Sequence, residues 1–96
     1  MNAEALSLDS KPKLAPKAKL RLDPKTGKYV LLYPEKGLLL NPTGAAILRQ
    51  CDGNTNLAAI ITALSLEFQS DTEVLRTEVF TFLQALLDRG LLQALP

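Results

Sequence analysis

Residues 23–53 read DPKTGKYVLLYPEKGLLLNPTGAAILRQCDG and contain, in one run, two turns, two strands and the start of a helix. Asp23 to Gly27 gathers turn-forming residues, and Lys28 to Tyr33 follows with the aromatic and branched side chains that suit a strand. Pro34 to Gly37 supplies a second tight turn, and Leu38 to Leu40 a short third strand. Asn41 then precedes Pro42: asparagine can satisfy a free backbone N–H at a helix start, and proline in the first helical position has none to satisfy. A first helix is expected over 42–51, with Ile47, Leu48 and Cys51 on one side and Gly44 admitting a close neighbour. Asp52 and Gly53 end it.

Upstream, Ala18, Leu20 and Leu22 alternate with Lys19, Arg21 and Asp23, the period of a strand with one buried face. The turn at 23–27 joins it to the next strand as a hairpin. Residues 1–16, with Pro12 and Pro16 and no periodicity, read as a flexible tail, which leaves 17–96 as the folded domain.

Downstream, Thr55 is positioned to cap a second helix, in which Leu57, Ile60, Ile61, Leu64 and Phe68 recur on one face. A third helix opens at Ser70, with Glu73 at capping-box spacing, and stops near Arg89 where Gly90 accepts a left-handed turn. The expected fold is α+β and winged-helix-like: a three-stranded antiparallel sheet followed by a three-helix bundle. Here the strands precede every helix, whereas a wing hairpin ordinarily follows the last one.

Composition excludes most catalysis. Histidine is absent and Cys51 is the single cysteine, so no disulfide framework, Cys/His metal site or histidine-assisted nucleophile can be built. Cys51 reads as a small buried hydrophobe. No catalytic residue, metal or cofactor is implied. The first ten residues lack the features of a secretory signal, and no apolar run spans a bilayer, so a soluble, cytoplasmic protein without membrane association is expected. Residues 1–36 hold eight Lys or Arg against four acids, and residues 37–96 three against six, which gives a basic and an acidic half. They face different partners, each other, or only solvent.

On a helical wheel, Leu75, Val79, Phe82 and Leu86 form the core stripe of the third helix, and Phe80, Leu83 and Leu87 widen its apolar arc beyond what a core needs. Two readings stay open: Phe80 and Leu87 pack beneath the sheet, or they wall a groove beside it. An unpaired sheet edge can accept an extended peptide as a further strand. Gly37 to Leu40 would then offer the edge, and Arg76, Phe80, Leu83 and Leu87 the opposite wall. A DNA-binding regulator is the contrasting reading. It is disfavoured because the third helix carries Asp71, Glu73, Glu78 and Asp88 against Arg76 and Arg89.

The strings LLYPE, LLLNPTGAAIL and CDG, followed by FLQALLDRGLL, resemble the PqqD family of pyrroloquinoline quinone (PQQ) biosynthesis over nearly everything after residue 16. The resemblance implies a peptide chaperone of the RiPP recognition element type, with three strands followed by three helices. It would bind the precursor peptide PqqA and present it to PqqE, a radical S-adenosylmethionine enzyme that links a Glu and a Tyr side chain of the peptide. The chaperone itself would do no chemistry. The implied peptide site is the third strand with the third helix, here Gly37, Leu38, Leu39 and Leu40 with residues around Arg76, Val79, Phe80 and Leu83, to which the wheel adds Leu87. A sister peptide-modification pathway is the near alternative, and a quinone-binding role the remote one. A functional monomer is expected, since a dimer through the strand edge would compete with peptide.

Overall fold

The structure is a computed structural model that describes residues 6–34 and 36–96. Its elements run β1 (Lys11–Leu14), β2 (Lys19–Asp23), β3 (Lys28–Tyr33), β4 (Lys36–Leu39), α1 (Pro42–Arg49), α2 (Leu57–Phe68), α3 (Thr72–Asp88) and β5 (Leu92–Leu95). β2, β3 and β4 form an antiparallel sheet in that order, and the three helices follow it. This is the expected α+β arrangement.

The β2–β3 hairpin closes on Asp23 paired with Lys28. Asp23 Oδ1 accepts from the Lys25 amide at 3.0 Å, and Gly27 takes φ +72° in the turn. β4 starts two residues earlier than expected, Lys36 pairing with Tyr33, and ends at Leu39; Glu35, within the expected turn, lies outside the described residues. Cross-strand pairing places Leu20, Tyr29, Leu31, Tyr33 and Leu38 on the face that meets the helices. Leu31 is fully buried there, while Leu22, also read as core-facing, is 48% exposed because it sits at the far end of the hairpin.

Asn41 caps α1 as its position suggests, its Oδ1 accepting from the Gly44 amide at 2.7 Å. α1 ends at Arg49, two residues short of Cys51. The other two caps are shifted by one residue from the sequence reading. Asn56, not Thr55, caps α2 through the Ala59 amide, and Asp71, not Ser70, caps α3 through the Glu73 amide. Thr55 instead donates its amide to Asp52, whose carboxylate also takes the Asn54 amide, so the loop after α1 is pinned around one aspartate. Gly90 has the left-handed φ of +75° and ends α3 as expected.

The core gathers Ile47 and Leu48 of α1, Leu57, Ile60, Ile61 and Leu64 of α2, and Leu75, Val79, Leu83, Leu86 and Leu87 of α3 against Leu31. Cys51 belongs to it, its thiol donating to the Ile47 carbonyl at 3.3 Å. Burial, and then the charge of Asp52, push that thiol up to about 12, so it stays protonated and packs as a hydrophobe.

The expected tail is overturned over its described part. Lys11–Leu14 pairs antiparallel with Leu92–Leu95 as a second, two-stranded sheet, and Pro12 is fully buried. The carbonyls of Leu8 and Ser10 accept the Ala58 and Leu57 amides, serving the first turn of α2. Residues 1–5 lie outside the described residues. Among the described residues no helix is long and apolar enough to cross a membrane.

Candidate peptide-binding groove

β4 is an edge strand: β3 occupies one side, and no described strand pairs with the other. Its register shows which backbone groups are free. Leu40 donates its amide to the Tyr29 carbonyl at 3.0 Å, continuing the series in which Leu38 faces Leu31 and Lys36 faces Tyr33. Hydrogen-bonded and non-bonded pairs alternate along an antiparallel ladder, so Lys36, Leu38 and Leu40 turn their N–H and C=O toward β3. Gly37 and Leu39 turn theirs outward. The open edge thus offers two residues' worth of donors and acceptors to a further strand.

Beside this edge runs a groove of about 730 Å³. Leu38, Leu39 and Leu40 form one wall, and Thr77, Glu78, Thr81 and Phe82 of α3 form the other. Asn41, Thr43 and Gly44 at the start of α1, with Ile47 further along it, complete the lining. Local sequence explains the shape: the Asn41 cap starts α1 directly after β4, and Gly44 has no side chain to fill the space between them. A Cβ there would lie 3.2 Å from Asn41 Oδ1 and 3.7 Å from Leu40 Cδ2. The lining is apolar and hydroxyl-bearing, with Glu78 as its one charged side chain among the described residues. Such a site can bind an extended chain by backbone hydrogen bonds and hold side chains by apolar contact. Among the described residues no His, Cys, Asp or Glu cluster gathers to hold a metal.

The structure brings together only part of the site expected from sequence. Leu38, Leu39 and Leu40 line the groove, and Gly37 lies on its edge strand. Arg76, Val79, Phe80, Leu83 and Leu87 do not line it. Val79, Leu83 and Leu87 are buried in the core, and Arg76 lies over the half-buried Phe80 ring, 5.8 Å from its centroid. At about 100° per residue, Arg76 and Phe80 occupy one flank of the Val79 core stripe, and Glu78 and Phe82 the other. The chain turns so that the second flank faces β4. Phe82, assigned to the core stripe from sequence, is instead half-buried in the groove wall. Thr43, Thr77, Glu78 and Thr81 line the groove without any mark in the sequence, since polar positions carry no apolar signal.

The family model for Coenzyme PQQ synthesis protein D (PqqD) matches residues 22–92. The chain belongs to the PqqD family. A PqqA binding protein of Rhodopseudomonas palustris (strain HaA2) is 38% identical over 88 residues, covering 92% of this chain and 86% of that protein. One from Rhizobium meliloti (strain 1021) is 34% identical over 92 residues, covering 96% and 94%. The solution structure of the PqqD truncation of Methylobacterium extorquens PqqCD, described as a functional and stand-alone RiPP recognition element, superposes with a TM-score of 0.77 at 28% identity over 93% of this chain and 95% of that one. TbiB1 in complex with the TbiA(beta) leader peptide shares the fold, with a TM-score of 0.71 at 20% identity over 84% of this chain and 94% of that one.

Within the PqqD match, each string quoted above has a structural task. The LLY of LLYPE ends β3, LLLNPTGAAIL runs from β4 through the Asn41 cap into α1, CDG forms the loop pinned by Asp52, where Gly53 takes φ +82°, and FLQALLDRGLL ends α3 at the Gly90 turn and enters β5. The match begins at the end of β2 and ends at the start of β5, so it encloses the whole groove and leaves out β1.

Proposed function

We propose that this chain is the PqqA-binding chaperone of PQQ biosynthesis, that it captures PqqA as an added strand on β4, and that it presents the bound peptide to the radical enzyme PqqE. The observation that carries the peptide half is the outward-facing backbone of Gly37 and Leu39 beside an apolar groove of about 730 Å³. The named function of the PqqD-family relatives supports the choice of peptide. The chain contributes binding and positioning, and the chemistry belongs to the enzyme. The chain works as a monomer in this reading, because a dimer through the β4 edge would compete with peptide. A ribosomally made precursor places the encounter in the cytoplasm.

An amide NMR titration of the labelled protein with PqqA tests this reading. Shifts are expected on Gly37 to Leu40, on Thr43 and Gly44, and on Thr77 to Phe82. An unchanged spectrum at saturating peptide, or shifts confined to Arg76 and Phe80, overturns the groove. Adding PqqE to the labelled protein–PqqA complex tests presentation: broadening of the protein's signals with the groove shifts retained is the expected result.

A further inference from the structure

The face of the β2–β3–β4 sheet turned away from the helices meets the peptide groove only at β4, where Leu39 lines it. Cross-strand pairing sets its residues in rows: Lys19, Leu32 and Gly37; Arg21, Val30 and Leu39; Asp23 and Lys28. A solvated antiparallel face ordinarily alternates to polar residues. Here β3 places Val30 and Leu32 in the middle, and Leu39 on β4 is 59% exposed. Gly37 keeps this strip open toward the edge, since a Cβ there would touch Leu32 Cδ2 and Val30 Cγ1, each at 3.4 Å.

The border of the strip is basic. Lys19, Arg21 and Lys28 flank it along β2 and β3, and a shallow depression of about 440 Å³ is lined by Arg21, Asp23, Pro24, Lys25, Val30 and Leu32. Among the described residues Asp23 is the one acid in that lining, and its carboxylate is engaged in the hairpin turn, accepting from the Lys25 amide at 3.0 Å and the Thr26 hydroxyl at 3.2 Å. An apolar strip whose described border carries more cations than carboxylates matches an acidic surface that carries exposed apolar side chains.

We propose that this outer sheet face is a second docking surface, and that it takes an acidic, apolar-bearing surface of the enzyme that receives the peptide. The choice of enzyme rests on the function proposed above. Continuity with the groove favours it: Leu39 belongs to both surfaces, and a peptide added to β4 extends this same face by one strand. Alternate side chains of that peptide then stand beside Gly37 and Leu39 on the plane the enzyme covers. Enzyme and chaperone hold the peptide together without competing for one site.

A second copy of the chain is the rival occupant. Its α2–α3 corner carries Leu66 (75% exposed), Glu67, Asp71, Glu73 and Val74 (57% exposed), also acidic and apolar. That contact joins two different patches, so it closes into a dimer or ring only where the rotation between copies permits, and otherwise propagates head to tail.

The test uses Arg21→Glu and Leu32→Thr in the full chain, with purified PqqE titrated in the presence and absence of PqqA at two salt concentrations, and sedimentation of the chaperone alone. Each variant is expected to bind PqqE about tenfold more weakly, and Arg21→Glu to lose the salt sensitivity of the unmodified chain, with PqqA affinity unchanged. PqqE affinity within about twofold of the unmodified chain for both variants overturns the surface. So does concentration-dependent growth of the chaperone alone that Arg21→Glu abolishes, which assigns the face to a second copy. Failure of the unmodified chain to bind PqqA overturns the underlying function instead, so the two failures are distinguishable.

Discussion

Phe82 of α3 closes over Gly44 of α1: a Cβ placed on the glycine would stand 3.5 Å from Phe82 Cζ. The glycine therefore sets both the depth of the groove and the approach of the aromatic ring that walls it. Gly44→Val should fill this floor, weakening PqqA binding about tenfold and unfolding free energy by about 1–3 kcal/mol through overpacking. Isothermal titration and urea unfolding measure the two effects separately, and unchanged affinity would detach Gly44 from the peptide site.

Leu39→Pro distinguishes the free backbone edge from the paired one. The Leu39 amide faces outward, so proline there removes a donor from the peptide and leaves the β3–β4 ladder intact. Peptide binding should be lost while far-UV circular dichroism and Tm stay close to those of a Leu39→Ala control. Leu38→Pro removes an amide directed at β3, and should cost about 2 kcal/mol or more of stability.

Phe82→Ala and Phe80→Ala test which flank of α3 meets the peptide. The former should lower PqqA affinity. The latter should leave affinity unchanged and lower stability by about 1–3 kcal/mol, since Phe80 only half-covers the core. Equal loss of affinity in both variants would restore the flank suggested by the wheel.

That flank marks the limit of what the sequence could disclose. Asn41–Pro42 and Gly90 announce helix ends through local chemistry, and the LLYPE-to-CDG run carries its turns within itself, so sheet, first helix and edge strand were all legible. A wheel is symmetric about its core stripe, however, and only the turn of the chain between α1 and α3 decides whether Phe82 or Phe80 faces β4. β1 was illegible for a different reason: KPKL has a proline at its second position and finds its partner, LQAL, at the other end of the domain. No local pattern reports such a pairing.

Removing residues 1–16 is expected to destabilise the domain. The amides of Leu57, Ala58 and Gly53 lose their acceptors on Ser10, Leu8 and Pro12, and β5 loses its partner. A chain starting at Lys17 should lose about 3 kcal/mol or more relative to the full chain, read by urea unfolding. Equal stability of the two chains would return 6–16 to the status of a tail.

Acid stability should report on Asp52. The Asn54 amide, and then the Thr55 amide and hydroxyl, hold its carboxyl below the ordinary 3.8. The folded state thus favours the charged form, and the resulting stability is present above the unfolded value and lost as pH falls through the folded one. Asp52→Asn keeps an acceptor for the loop amides and should flatten the decline in stability below about pH 4. Unfolding midpoints across an acid series check it; an unaltered slope would remove Asp52 from the account.

The pairing of Lys11 with Leu95 also bears on how peptide capture is insulated from the rest of the domain. β1 and β5, the first and last described strands, lie side by side in a sheet separate from the one that carries β4. Their main-chain pairing shares no residue with the groove, so a strand can be added to or removed from β4 without parting the two.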